Sequence, residues 1–353
     1  MKQGPQDVLG NHGTNTIFTV WNFKEGAPIK EAFQQICALV INLNHSAYVR
    51  FPDDNASCIM GISYSAWHWL DLPKPLPKEL EEFEPIVGSR YTAVSTKADL
   101  HFHLKGSNSS ICYDMAADIA KVLSPVADCV DEVHGFRYWD GRSILGFVDG
   151  TENPESNLRE YFGLIGDEDE VYKGGSYLFV QKYIHDLAAF KALPVEEQEK
   201  VFGRYKDSDV EMTDDIKPQN SHSALANVGD DFKIIRDNLP FGNMSTNEMG
   251  TYFIAYASTF NTVKLMLNNM FIGNPPGNYD RLLDFSTAKT GSLFFVPTMD
   301  MLDDFSSGDE ETTSTENHPE AVDTVLPKND GSLGIGSLKE VSFGKVKTIE
   351  KSE

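Results

Sequence analysis

Apolar and polar residues alternate over TIFTVWNF (16–23) with the period of a strand, then take helical spacing over IKEAFQQICALVINL (29–43). ASCIMGISYS (56–65) and DLHFHLKG (99–106) read as strands, SSICYDMAADIAKVLSPVA (109–127) as a helix stopped at Pro125, and DEVHGFRYW (131–139) as a further strand. The order is βαββαβ. It recurs in GGSYLFVQKYIHD (174–186), LAAFKALPVEEQEKVFG (187–203), DFKIIRDNLPFG (231–242), GTYFIAYAST (250–259), VKLMLNNMF (263–271) and SLFFVPT (292–298). The repetition predicts an α+β protein of two ferredoxin-like units, residues 1–145 and 146–299. Their antiparallel sheets would pack together or sandwich a ligand between sheet and helices.

The pattern then changes. From Asp300 to Pro327 the chain carries Asp, Glu, Ser and Thr but no Lys or Arg, which predicts a disordered acidic linker over 300–328 and a tail over 329–353. In the tail, GSLGIGSLK (331–339) sets Leu333, Ile335 and Leu338 among glycines and serines. The segment is either an incidental apolar stretch or a linear motif whose aliphatic side chains fill pockets on a partner.

Composition narrows the function. The 353 residues suffice for about two domains, and 30 Lys and Arg against 53 Asp and Glu leave a net charge of −23. Such a surface repels polyanions, so nucleic acid and anionic membranes are disfavoured as partners. The start lacks the apolar core of a signal peptide, and no run approaches the roughly 18 apolar residues of a membrane span, so a cytoplasmic, soluble protein is expected. Cys37, Cys58, Cys112 and Cys129 lie far apart with no CxxC pair and are expected to be reduced, buried and inert. No Walker loop, GxSxG, HExxH or GxGxxG with a following acid is present.

Two clusters could carry chemistry. GFVDGTENP (146–154) offers Asp149 at a tight turn; an Asp-Gly pair alone marks only a turn, but the density of polar and turn-forming residues after Ile144-Leu145 suits a carboxylate aimed inward. KPQNSHSALANVGDDFKIIRDNLPFGN (217–243) holds His222 in a segment of small polar residues and Arg236 at the end of an apolar strand. A lone loop histidine is usually a hydrogen-bonding residue, whereas a desolvated guanidinium needs an anion, a ligand or several acceptors. His101 and His103 share a strand face and could bind a metal, but without a visible third ligand a packed or exposed structural role weighs more.

GFVDGTENP, the NSH of 220–222, IIRDNLPFG (234–242) and RLLDFSTAKTGSLFFVP (281–297), in this order, closely resemble the dye-decolourising peroxidases, in particular their compact bacterial branch. The resemblance runs from about residue 10 to about residue 300. It implies two ferredoxin-like units, the second holding one haem b (heme b) per chain, with His222 as proximal iron ligand. Asp284 is then the acceptor of the histidine's other proton, with Asp280 as the competing choice. Asp149 and Arg236 match the family's distal pair, with Asn238 beside them, and Arg204 matches a position that pairs with a haem propionate; Glu152 and Asn153 join the cofactor-binding set. The implied reaction is reduction of hydrogen peroxide through an oxoferryl intermediate, followed by one-electron oxidation of dyes and phenolics. Oxidation would take place near the haem edge or through Tyr138, Trp139 or Tyr183. The other reading is a haem-binding or haem-handling protein without turnover, for which a complete distal set has no use. GSLGIGSLK also resembles the cargo-loading peptide that directs such peroxidases into encapsulin nanocompartments, docking Leu333, Ile335 and Leu338 on the shell protein. A homo-oligomer is expected for the same reasons.

Overall fold

Strand β1 (Asn15–Phe23) buries Ile17, Trp21 and Phe23 on one face and Phe18 and Val20 on the other. Because strand side chains alternate in direction, a strand apolar on both sides requires cover on both faces. The computed structural model, which describes residues 4–10 and 13–308, supplies it. The first half continues through α1 (Ile29–Arg50), β2 (Ser57–Ser63), α2 (Tyr64–Trp69), the hairpin β3 (Ile86–Val87) and β4 (Thr92–Ala93), β5 (Leu100–Gly106), α3 (Ser109–Leu123) and β6 (Ala127–Phe136). The second runs through α4 (Arg159–Gly163), β7 (Ser176–His185), α5 (Leu187–Ala192), α6 (Val195–Phe202), α7 (His222–Ala226), β8 (Ile235–Arg236), β9 (Leu239–Asn243), β10 (Glu248–Ala257), α8 (Phe260–Phe271), β11 (Ser286–Ala288), β12 (Ser292–Val296) and α9 (Met299–Ser307).

Apart from the separate β3-β4 hairpin, the strands form one antiparallel sheet with the order β6-β1-β5-β2-β12-β7-β10-β8, β9 pairing with β10 and β11 with β7 off this path. Each half keeps the spatial order fourth, first, third, second of its own strands, so the duplicated pattern is visible in the topology. The halves join where β2 meets β12, with Phe294 opposite Ser63 and Phe295 opposite Ile62. One face carries the helices over a large apolar core. On the other face the two halves meet, with Phe18 of β1 stacked on Tyr252 of β10 at 4.1 Å. His101 and His103 point into this second layer, where His101 Nε2 lies 3.2 Å from the Tyr252 hydroxyl and His103 Nδ1 lies 2.8 Å from that of Tyr256. They are packed core residues, and burial pushes the pKa of His101 well below the usual histidine range.

Three expectations need correction. Residues 300–307, expected to begin a disordered linker, belong to helix α9: Leu302 and Phe305 share a helical face, and Phe305 packs against Phe33 of α1 and Trp67 of α2. The helix expected over 187–203 is split at Leu193-Pro194 into α5 and α6, since proline cannot continue the first. Cys129 is exposed, unlike the other three cysteines. Among the described residues no helix is long and apolar enough to cross a membrane. The segment 331–339, with Leu333, Ile335 and Leu338, lies outside the described residues.

Candidate active site

Helix α7 is only five residues long, too short to stand without support, and it starts at His222. Helix α6 ends on Gly203 in the left-handed region (φ +79°), and a Cβ there would sit 2.4 Å from Ser223 Oγ and 2.6 Å from Ser221 Oγ. Glycine is what lets α6 close on the start of α7. His222 Nδ1 then lies 2.6 Å from Asp280 Oδ2. Asp280 is fully buried, and its Oδ1 accepts from Leu282 N at 2.9 Å as it caps the 3-10 turn Arg281–Asp284. An ionised carboxylate can only accept, so His222 carries its proton on Nδ1 and keeps the Nε2 lone pair.

Asp284 is therefore not the acceptor. It receives the Tyr91 and Tyr279 hydroxyls at 2.8 and 3.1 Å and pairs with Arg90 at 3.1 Å. The reason is turn geometry: at three residues per turn, position 284 faces a different direction from the cap at 280.

A second group enters from the 146–154 loop and β8. Asp149 Oδ1 accepts from Gly150 N at 2.7 Å and from Asn238 Nδ2 at 3.3 Å, while Asn238 Oδ1 accepts from Ile254 N at 3.1 Å. Asp149 Oδ2 has no hydrogen-bond partner among the described residues. Asn153 grips the backbone of Arg236 at both ends, accepting from its N–H and donating to its C=O, each at 2.8 Å. It does not line the cleft, so the expectation that it binds a cofactor is corrected to one of holding β8. Asn153→Ala is expected to cost about 1–3 kcal/mol of stability by orphaning these groups; a chemical denaturation midpoint equal to the wild type would contradict it.

The Arg236 guanidinium makes no hydrogen bond or ion pair to any described residue, although burial pulls its pKa below the ordinary arginine value while Asp149 and Glu152 raise it. Arg204 is held differently. It contacts Glu152 Oε1 at 2.5 Å, Glu211 Oε2 at 3.2 Å and the Asp209 carbonyl at 3.0 Å. Glu152 lines the same cleft and holds the Arg204 guanidinium there, which positions that cation.

His222, Asp149, Arg204, Arg236 and Asn238 all line one cleft, whose empty space together with the open solvent at its mouth is about 1430 Å3. The remaining walls are largely apolar, from Leu145, Phe202, Phe253, Met266, Met270 and Leu283. Tyr183 lines it too and is buried, its hydroxyl donating to Gln181 at 2.5 Å, so it is not a surface aromatic. The sequence reading missed His185, also in the cleft wall, held between Ser286 Oγ at 2.8 Å and Thr251 Oγ1 at 2.9 Å, its pKa lowered by burial to about 4. Its spacing of two from Tyr183, on one strand face, was the available signal.

The donor set suits a planar, mostly apolar metal cofactor: one imidazole with an available Nε2, oriented by a buried carboxylate, in a wide apolar cleft that also contains an uncommitted guanidinium. Two family models match consecutive stretches, "Dyp-type peroxidase, N-terminal" over residues 5–137 and "Dyp-type peroxidase, C-terminal" over 140–301. The chain belongs to the Dyp-type peroxidase family. A dye-decolorizing peroxidase of Rhodococcus erythropolis is 44% identical over 95% of this chain and 97% of its own length. The dye-decolorizing peroxidase structure from Bacteroides thetaiotaomicron is 51% identical with a TM-score of 0.84, covering 86% of this chain and 99% of that one. An encapsulated Dyp-type peroxidase from Mycobacterium smegmatis is 46% identical with a TM-score of 0.79, covering 86% and 98%. A variant of a Rhodococcus jostii relative, DypB, 42% identical with a TM-score of 0.79 over 86% of this chain and 99% of that one, is solved in complex with heme. This Dyp-type peroxidase is accordingly a haem-dependent oxidoreductase.

Proposed function

We propose that this peroxidase reduces hydrogen peroxide in the cleft and oxidises organic donors, dyes and phenolics, one electron at a time. In this reading His222 Nε2 binds the iron of one haem b, Arg204 pairs with a propionate, and Asp149, Arg236 and Asn238 handle the peroxide. The observation that carries it is the pair of uncommitted polar groups, Asp149 Oδ2 and the Arg236 guanidinium, in the same cleft as a histidine fixed by a buried carboxylate.

Bound haem supplies the electrons that break the O–O bond. The chain supplies the rest. Asp280, accepting from His222 Nδ1, gives the imidazole anionic character and fixes its orientation. Asp149 Oδ2 takes the proton from one peroxide oxygen and returns it to the other, which leaves as water. Arg236 donates to the oxygen on which negative charge develops, in a partly dry site where that charge is weakly screened. Asn238 holds Asp149 in place through Oδ1, leaving Oδ2 for the proton.

Bulky donors would react at the protein surface. Trp139 is 78% exposed and packs edge-on against Tyr138 at 6.0 Å, which suits it as such a contact. With a net charge of −23, the protein should attract cationic donors. Matched cationic and anionic dyes at low salt are expected to differ about tenfold or more in kcat/KM, the gap closing as salt screens the field; equal rates at low salt would contradict the reading. Packaging is proposed as well, from GSLGIGSLK and from the encapsulated relative. Deleting residues 329–353 should abolish co-purification with a co-expressed encapsulin shell, and undiminished co-purification would refute it.

A further inference from the structure

Arg236 and Asn238 both line the cleft, and the residue between them faces the other way. Asp237 points into the layer where the two halves of the sheet meet, and it is 3% exposed. Its Oδ2 lies 3.6 Å from Lys105 Nζ and 3.7 Å from His103 Nε2, and its own N–H donates to the Ile254 carbonyl. Lys105, on β5 of the other half, is 1% exposed and also sits 3.5 Å from Asp7 Oδ2, which in turn accepts from Ser57 Oγ at 2.9 Å. A line of charges thus runs from the half-exposed Asp7 of the N-terminal segment through the buried Lys105 of β5 to the buried Asp237 between the two cleft groups.

Burying a lysine and a carboxylate is a poor way to gain stability, because the attraction of the pair barely offsets the lost hydration, and an apolar replacement of similar size is often as stable or more so. What the pair does supply is a directed anchor. Strands β8 and β9 are short, and the ladder gives the Arg236–Asn238 stretch few bonds of its own. Asn153 grips it through the backbone of Arg236. We propose that Lys105 is a positioning residue for peroxide cleavage: its ion pair with Asp237 pins the stretch from behind and sets where Arg236 and Asn238 stand. A displacement of about 1 Å at a reacting centre can lower a rate about 10²-fold, so the anchor matters to chemistry even where it adds little to stability.

This inference rests on the roles proposed above for Arg236 and Asn238. Its test compares Asp237→Asn, Lys105→Met and the double variant as haem-loaded proteins, with Arg236→Leu as a reference. Both single variants should lose about 10- to 100-fold in the second-order rate with peroxide while the KM for the organic donor stays put. Hydrogen exchange should quicken at the amides of Arg236 and Ile254, which bond to Asn153 and Asn238. The double variant, free of buried charge, should regain the wild-type melting temperature and still react slowly with peroxide. A purely structural pair would instead restore the rate together with the melting temperature, and that result would overturn the proposal. Because the double variant is the one best placed to fold, it decides the matter even where a single variant does not. Near-normal rates in Arg236→Leu would sink the reading of the distal group itself, whereas a slow Arg236→Leu beside a double variant of normal rate would sink only the anchor.

Discussion

Replacing His222 with alanine is expected to leave the protein unable to retain haem, with the haem content after purification and desalting falling more than tenfold. Substituting a partner that merely orients a metal-bound histidine typically costs about 10- to 100-fold in affinity, so removal of the ligand itself should cost more. Asp280→Asn supplies that milder case. The carboxamide retains the shape but removes the charge from the partner at 2.6 Å, and haem affinity should drop about 10- to 100-fold, with a shifted absorption spectrum because the imidazole becomes a weaker electron donor. Asp284→Asn should leave the spectrum unchanged, since Asp284 belongs to the Tyr91, Tyr279 and Arg90 cluster. The measurement is haem content and a haem titration of the apoprotein for each variant; full retention by His222→Ala would remove His222 from the site.

The second large effect falls on the other group. Arg236→Leu should slow the reaction with peroxide by about 10²–10³, the usual loss when a charge-stabilising donor is taken from a dry site. Asp149→Ala should lower it by about 10²–10⁴ through loss of the proton carrier. Neither side chain touches His222 or Asp280 in the hydrogen-bond network, so haem content and ferric affinity should stay near wild type in both. The rate constant is read from the slope of observed rate against peroxide concentration. Wild-type slopes in both variants would show that the two groups do not act on peroxide.

Much of this architecture was legible from residue pattern alone. The two βαββαβ runs mark most of their strands because those are long and apolar, although the strand expected over 231–242 is broken into the short β8 and β9, and the motifs around Asp149, His222 and Arg236 do converge on one cleft. What escaped is what depends on contacts between distant residues. The edge pairing of β2 with β12 involves two aligned residue pairs across more than 200 positions and leaves no periodic trace. Helix α9 was hidden by its composition: three aspartates among Met299–Ser307 read as linker, while Leu302 and Phe305 carry the packing. Asp280 and Asp284 stand in one short turn and are equally plausible by sequence, so only the direction of the 3-10 helix separates them. Glu152 and Asn153 fall inside the most suggestive motif, yet one binds Arg204 and the other the backbone of Arg236, roles that need the third dimension. Lys105 lies in a strand whose alternation gives no hint that its ammonium is fully buried.

The most direct test of the central claim is a stopped-flow absorbance record of the haem-loaded protein mixed with one equivalent of hydrogen peroxide. A cleft built to cleave peroxide should give a rapid spectral change that is complete at one equivalent, with a rate that rises linearly when peroxide is increased, and the end point should return to the starting spectrum on adding two equivalents of a one-electron donor. Slow, irreversible bleaching with no dependence on the donor would mean that the protein holds haem without turning over peroxide, and the assignment of Asp149 and Arg236 would fall with it.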